Sequence, residues 1–327
     1  MAAITTAEAS SGRVPGAGDA GTVVGIDLGG SKILGGVADL SGRLLADDEE
    51  PTRHGPDAPF LDQIAAMVDR LHERAGRDRT LLSGVVVGVP GTVSPETGLV
   101  ALSPNLALPA DEPVGALIAR RVGCPVEVLN DVAAAAYGEA MRGGGDGRGL
   151  IAFAAFGTGV GLGLVLDGRI LHGARGRAGE IAYLPIGADP HEAAPASASG
   201  LFEDRVGSAA IRARYGADAP SVAVLFDRAA AGDARAAAVL DDVARDAATG
   251  LAAVVALLDP DALVLGGSIG VRPEFAGRVG LHMNRLLPFE VDLRTSALGR
   301  AAGMLGAVHA AAETARADAA LLAGRQP

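Results

Sequence analysis

The sequence predicts an α/β fold with two lobes that face each other across a cleft. Its 327 residues exceed the usual size of one domain. Short β-rich runs broken by glycines alternate with segments of helical periodicity. One order of elements, three strands, a helix and a further strand, occurs twice along the chain. This repeat indicates two related lobes, although a doubled scaffold without shared chemistry would give the same pattern.

The first copy follows residues 1–21, which we expect to form a disordered tail. The run VVGIDLGGSKILGGVADLSGRLLADDE then reads as strand, tight turn at Gly29-Gly30, strand, turn and strand. Apolar residues at helical spacing predict a helix over about 57–76. The valine-rich run at 84–90 predicts a strand that is covered on both faces.

The second copy repeats this order in residues 149–172, where a glycine turn at 157–161 separates the first two strands. A helix is predicted at about 233–257 and a strand at 261–267. Each glycine turn directly follows the first strand of its copy. Because glycine lets backbone amides approach an anion closely, two facing turns would hold one phosphate chain from both sides.

Composition excludes several classes of function. The net charge of −11 disfavours a nucleic-acid partner, which needs a basic surface. The single cysteine, Cys124, excludes an internal disulfide and a zinc site of several thiolates. No secretory leader and no apolar run of about 18 residues is visible. We therefore expect a cytoplasmic protein that binds neither membrane nor nucleic acid.

Three glycine turns are candidates for binding a nucleotide. The first runs from Asp27 through Gly29, Gly30 and Ser31 to Lys32, and Asp27 would hold Mg²⁺ through water because a bare carboxylate repels phosphate. A Gly-Gly pair between strands is equally typical of a plain hairpin.

The second turn, Phe156–Gly161, would place the Thr158 hydroxyl and the amides near Gly157 and Gly159 at phosphate oxygens. The sequence has no GxxxxGK[ST] motif, which disfavours a P-loop enzyme. The third turn, with Gly266 and Gly267, suits a flat adenine and ribose against bare backbone. A strand-to-helix turn explains the third turn equally well.

Asp131 is the candidate general base. It follows a strand that ends in Asn130 and precedes an alanine-rich helix. A carboxylate at a strand end can accept the proton of a substrate hydroxyl that attacks a phosphate. The same position is also typical of a helix N-cap.

Several ordered motifs between about residues 22 and 310 resemble the ROK family of sugar kinases and sugar-responsive repressors, in the actin/hexokinase-like ATPase superfamily. They are GIDLGGSK (25–32), GVPGTVSPETG (88–98), SPNL (103–106), LND (129–131), FGTGVGLGLVLDG (156–168), AGEI (178–181), GLFE (200–203) and LDPDALVLGG (258–267). The resemblance implies two RNase H-like (actin-like ATPase) lobes and a homodimer. We expect the small lobe at 22–120 plus 300–327 and the large lobe at 121–299.

The resemblance also implies the roles of individual residues. ATP phosphates would lie at Asp27, Gly30, Lys32, Gly157 and Thr158, and the nucleoside near Gly266 and Gly267. The sugar pocket would be formed by Pro90, Gly91, Asn105, Asn130, Asp131, Glu180 and Glu203. Such amide and carboxylate groups pair with vicinal hydroxyls.

The sequence departs from the family in one region. Ala182-Tyr183 stands where the family has Gly-His, and the cysteines of its structural zinc site are missing, so we expect no zinc. Residues 187–200 are predicted to be a flexible Ala/Pro-rich linker in which His191 is solvated. We expect Tyr183 to bind the substrate by donating one hydrogen bond to a sugar hydroxyl, but it is larger than histidine and differently placed. The substrate is therefore open among glucose, other hexoses, N-acyl amino sugars and C7-cyclitols.

The sequence therefore predicts a carbohydrate kinase that uses ATP and Mg²⁺, with Asp131 as the base. One alternative is a sugar-responsive repressor, which in this family carries a winged helix-turn-helix before the first turn. Only about 21 residues precede Thr22, which disfavours it. The other alternative is a catalytically silent sugar sensor, against which the retained Asp27 and Asp131 argue.

Overall fold

The computed structural model describes residues 21–55, 57–103, 111–144 and 147–323. The predicted disordered tail therefore lies outside the described residues, except for Gly21. The strands are β1 (Thr22–Leu28), β2 (Lys32–Asp39), β3 (Leu44–Pro51), β4 (Leu82–Val89), β5 (Thr92–Val93), β6 (Val100–Ala101), β7 (Val126–Asn130), β8 (Leu150–Phe156), β9 (Val160–Leu166), β10 (Arg169–Ile170), β11 (Ala262–Gly266) and β12 (Leu293–Thr295).

The helices include the predicted ones, with small shifts at their ends. They are α1 (Phe60–Ala75), α2 (Val114–Val122), α3 (Asp131–Arg142), α4 (Pro190–Ala193), α5 (Glu203–Val206), α6 (Ser208–Tyr215), α7 (Val222–Ala230), α8 (Ala234–Leu258), α9 (Gly267–Gly270), α10 (Pro273–Leu286) and α11 (Ala302–Ala323). Local signals set these ends. Gly76 ends α1 in the left-handed region, and the Asp233 carboxylate caps the start of α8.

Two five-stranded sheets share one topology, which confirms the predicted doubled unit. The first has the order β3-β2-β1-β4-β7 and the second β10-β9-β8-β11-β12. In each, the first strand is antiparallel to the second and parallel to the strand that follows the helical part of the unit. The carboxyl ends of these first strands, with their glycine turns, therefore lie at equivalent edges of the two sheets.

The predicted boundary between the lobes is wrong at one strand. We expected residues 121–299 to form the large lobe, but β7 pairs in parallel with β4 from Val85↔Val126 to Val89↔Asn130. Residues 126–130 therefore belong to the first sheet. Only the pairing of strands that are distant in sequence reveals this, and the strand's own apolar pattern does not carry that information.

Helices cover both sheets and join them. One face of the first sheet packs on α1 and α2, and its other face on α11. The second sheet packs on α8 and α10 on one face and on α3 on the other. Because α3 also contacts α11, these two helices form the joint between the sheets. Among the described helices, none is long and apolar enough to cross a lipid bilayer.

Candidate active site

A cavity of about 1030 Å³ opens between the two sheets at their glycine turns. It brings together most of the predicted site residues from both halves of the chain. Its lining includes Gly30, Ser31, Pro90, Gly91, Asn130, Asp131, Gly157, Thr158, Gly159, Glu180, Tyr183, Glu203 and Gly267. Asn105, predicted in the sugar pocket, lies outside the described residues.

The first glycine turn is held rigidly by its own hairpin and by the end of β3. The Gly29 N–H donates to the Lys32 carbonyl (2.9 Å). The Thr52 hydroxyl donates to the Gly29 carbonyl (2.7 Å), and the Thr52 N–H to the Ser31 carbonyl (3.1 Å). These bonds fix the backbone that lines the cavity at Gly30 and Ser31.

The structure places Lys32 differently from our prediction. Its ammonium pairs with the Glu49 carboxylate (3.1 Å), which also pairs with Arg300 (2.8 Å), and Lys32 is not among the lining residues. In the register of β2 and β3, Lys32 lies opposite Pro51, so that Glu49 is its diagonal neighbour. The ammonium is therefore directed along the sheet rather than into the cavity.

Asp131 begins α3 at the floor of the cavity. The Asn130 side chain, and not Asp131, caps the helix by accepting from the Ala133 N–H (2.8 Å). Asp131 Oδ1 accepts from the Val132 N–H (2.8 Å) and from Asn130 Nδ2 (3.2 Å). With the cap supplied by Asn130, the Asp131 carboxylate is free to face the cavity.

Asp27 is not among the lining residues, but its charge interacts with that of Asp131, and both carboxyl groups have raised pKa values. The pKa of Asp131 is raised from 3.8 to about 7, first by loss of solvent and next by the negative charge of Asp27. The pKa of Asp27 is raised to about 6 by burial, and the positive charge of Lys32 opposes this shift. A methyl group on Gly303 would lie 2.7 Å from Asp27 Oδ2, so the first turn of α11 backs that carboxylate.

The second glycine turn is held by the start of α5 and α6. The Gly157 N–H donates to the Gly159 carbonyl (3.0 Å), and the Ser208 N–H donates to the Gly157 carbonyl (3.0 Å). The Val160 N–H donates to Glu203 Oε2 (3.0 Å). A side chain on Gly159 would displace that carboxylate from its hydrogen bond to Val160. Gly157, Thr158 and Gly159 line the same cavity as Gly30 and Ser31.

The two glycines of the third turn, Gly266 and Gly267, have different roles. Gly267 lines the cavity in the left-handed region (φ 74°), and a side chain there would overlap the Phe156 carbonyl. Gly266 is extended and is not among the lining residues. The Phe153 ring fills the space where its side chain would be. The structure therefore explains Gly266 by packing, while its predicted contact with a nucleoside has no support in the geometry.

Glu180, Glu203 and Tyr183 form the polar wall of the second lobe. Burial and repulsion from Glu203 raise the pKa of Glu180, which Arg177 opposes. Burial also raises the pKa of Glu203, while the hydrogen bond from Val160 lowers it. Tyr183 is 49% exposed and its phenol is available to a ligand in the cavity. This wall offers the acceptors and the donor that several hydroxyl groups require.

Residues 187–200 are ordered, so the predicted flexible linker is wrong. They contain α4, capped by Asp189, and the hydroxyls of Ser197 and Ser199 donate to the Asp204 carboxylate (2.6 and 2.7 Å). A single acidic residue beyond the segment therefore fixes it. The segment brings Ala198 and Ser199 into the cavity lining, and sequence reasoning missed both.

The cavity lining includes further residues that sequence reasoning missed, among them His54, Leu102 and Ser103. His54 follows β3 at the edge of the first sheet where the first glycine turn lies, whereas Leu102 and Ser103 follow β6 of the two-stranded β5-β6 sheet. Their position directly after a strand was the signal in the sequence. That signal is useful only when it is known which strands end near the same site.

The acidic floor suits a hard divalent cation. In the part of the chain that the structure describes, no group of three or more His, Cys, Asp and Glu side chains is arranged to hold a metal ion by itself. Asp27 and Asp131 nevertheless repel each other, and carboxylate oxygens with water and phosphate are the ligands that Mg²⁺ takes in nucleotide sites. The residues therefore fit Mg²⁺ that arrives with a nucleotide.

Residues 23–314 match the family model described as "ROK family". The chain is 32% identical over 299 residues to a bifunctional enzyme NanE/NanK of Brucella melitensis, covering 89% of this chain and 54% of that protein. It thus spans about half the length of this relative. It is also 30% identical over 301 residues to an N-acetylmannosamine kinase of Shigella flexneri, covering 88% and 97% of the two chains.

A solved structure agrees in fold with this chain over most of its length. It is a ROK family glucokinase from Streptomyces griseus in complex with glucose and AMPPNP, 27% identical, with a TM-score of 0.76. The match covers 90% of this chain and all of the other (100%). Two lobes of the actin/hexokinase-like ATPase fold, as predicted from the sequence motifs, are thereby confirmed.

Proposed function

This chain belongs to the ROK family, and from that premise we propose that it is an ATP-dependent kinase that phosphorylates a hydroxyl of a sugar or sugar-like polyol. The observation that carries the proposal is the position of Asp131 in one cavity with glycine turns from both sheets. A general base and two phosphate-binding backbones are the parts that phosphoryl transfer to an alcohol needs.

The two glycine turns would hold the nucleotide's phosphates. Backbone around Gly30 and Gly157 lines the cavity without side-chain bulk, so that its free amides could bind phosphate oxygens, and the Thr158 hydroxyl would be a further donor. Asp27 would hold Mg²⁺ through water, and the cation would neutralise charge on the phosphates. Fixed amides that face developing charge lower the barrier because they need no reorganisation during the reaction.

The acceptor hydroxyl would be deprotonated by Asp131. With a pKa of about 7, this carboxyl is a much stronger base than an ordinary aspartate and is still ionised in a large fraction at neutral pH. Asn130, which donates to the Gly91 carbonyl (3.0 Å), fixes the residue beside the base. Glu180, Glu203 and Tyr183 would orient the other hydroxyls of the sugar, and so align the attacking oxygen.

The test is a coupled assay of ADP release over hexoses, amino sugars, N-acyl amino sugars and C7-cyclitols. We expect one class of acceptor to stimulate ADP release well above the rate without acceptor. Release that no acceptor stimulates, together with tight sugar binding, would instead support the silent sensor. The homodimer and the cytoplasmic location stay predictions from the sequence.

The raised pKa of Asp131 predicts a pH dependence of catalysis. A carboxyl with a pKa of about 7 loses its base form as the pH falls through 7, so kcat/KM should fall about tenfold per unit below that value. The fall should steepen below about pH 6, where Asp27 also takes up a proton. The measurement is kcat/KM against pH in constant ionic strength. A profile that stays flat down to about pH 5 would show a base with an ordinary carboxyl pKa.

A further inference from the structure

We propose that His54 contacts the terminal phosphates of the bound nucleotide and takes the place in the cavity that the sequence assigned to Lys32. The inference rests on the proposed function, because it requires a nucleotide between the two glycine turns. It concerns a residue that no sequence motif singled out, in the loop between β3 and α1.

The order of strands places His54 on the nucleotide side of the cavity. Along the edge of the first sheet, the end of β3 with His54 comes first, followed by the glycine turn between β2 and β1, then Pro90 after β4 and Asp131 after β7. The first glycine turn thus separates His54 from the base. Terminal phosphates held at this turn would lie between His54 and Asp131, so His54 would contact them from the side away from the acceptor.

The loop that carries His54 is built onto the first glycine turn. Thr52, which is buried, donates to the carbonyls of Gly29 and Ser31. The Arg53 N–H donates to Gln63 Oε1 (2.7 Å), while Gln63 Nε2 donates to the Pro51 carbonyl (2.9 Å), and Gln63 is buried. Thr52 and Arg53, the two residues before His54, are therefore fixed. His54 thus holds a defined place in the cavity lining with Gly30 and Ser31, although its own side chain is exposed.

The charge of the cavity supports a phosphate contact at His54. Of the lining residues within the described ranges, His54 is the one basic side chain, and the carboxylates of Asp131, Glu180 and Glu203 line the same space. The ammonium of Lys32 forms an ion pair with the Glu49 carboxylate. A polyanionic nucleotide in this acidic cavity needs donors with positive character, and an imidazole N–H donates to phosphate oxygens whether or not the ring is charged.

Direct binding of AMP and ATP, each with Mg²⁺ at one fixed pH, tests the inference. We expect His54→Ala to weaken ATP binding about tenfold and to change AMP binding less than about twofold, because AMP lacks the terminal phosphates. His54→Arg should restore most of the affinity for ATP. His191→Ala is the matched control, since His191 is an exposed histidine outside the cavity lining, and it should change neither constant.

Two results would overturn the inference. Unchanged ATP affinity in His54→Ala would remove His54 from the site. Equal weakening of AMP and ATP would show that the loop only supports the turn. Thermal unfolding of each variant checks that the fold is retained. If the wild-type protein binds neither nucleotide, the proposed function fails, and this inference with it, before any variant is compared.

Discussion

Replacing Asp131 with asparagine is expected to lower kcat by at least about 100-fold, which is the lower range of effects for loss of a general base. Asparagine keeps the size of the side chain and an oxygen that can accept from the Val132 N–H. It cannot accept the proton of the substrate hydroxyl. Because the Asn130 cap is unchanged, α3 should begin at the same residue and the affinity for nucleotide should be retained.

Asp218→Asn is the control for this substitution. It makes the same chemical change at an exposed aspartate outside the cavity lining, and should leave kcat unaltered. Steady-state kinetics at saturating ATP and acceptor measure both variants. If Asp131→Asn kept full activity, Asp131 would have no part in the mechanism.

The second large effect is expected where α3 and α11 cross. A methyl group on Gly306 would overlap the Ala134 carbonyl, and one on Gly138 would overlap the Ala302 carbonyl. Gly306→Ala should therefore destabilise the fold by about 1–3 kcal/mol, as overpacking in a core does, despite the better helix propensity of alanine. At about 2–4 °C per kcal/mol, the midpoint of thermal unfolding should fall by several degrees.

A matched glycine distinguishes this steric effect from helix propensity. Gly277 lies inside α10, and no atom would come within 4 Å of an added methyl group. Gly277→Ala should leave the unfolding midpoint unchanged or raise it. If Gly306→Ala were as stable as Gly277→Ala, the close approach of the two helices would not be required.

The elements that the sequence predicted well are those with strong local signals. The glycine turns after β1 and β8, and the helices α1 and α8, were predicted because their periodicity and breakers lie within a few residues. Asp131 was predicted as the base, with a helix cap as the alternative, and the structure gives the cap to the neighbouring Asn130. Local signals thus located the two glycine turns after β1 and β8 and the candidate base.

The errors came from contacts between distant parts of the chain. The membership of β7 in the first sheet, the pairing of Lys32 with Glu49 and the place of His54 all depend on strand order and register. Residues 187–200 have a composition that is typical of linkers, but Asp204 anchors them through two serines. Composition alone does not predict that these serines bond to Asp204 and so order the segment.

The most direct test of phosphoryl transfer in this cavity is a single-turnover experiment with ATP labelled at its γ-phosphate and an acceptor from the ADP-release screen. We predict that the label moves to the acceptor in step with ADP formation, and that Asp131→Asn binds ATP but transfers almost no label. Label that appears only as inorganic phosphate, or equal transfer by the variant, would contradict the central role of Asp131 between the two glycine turns.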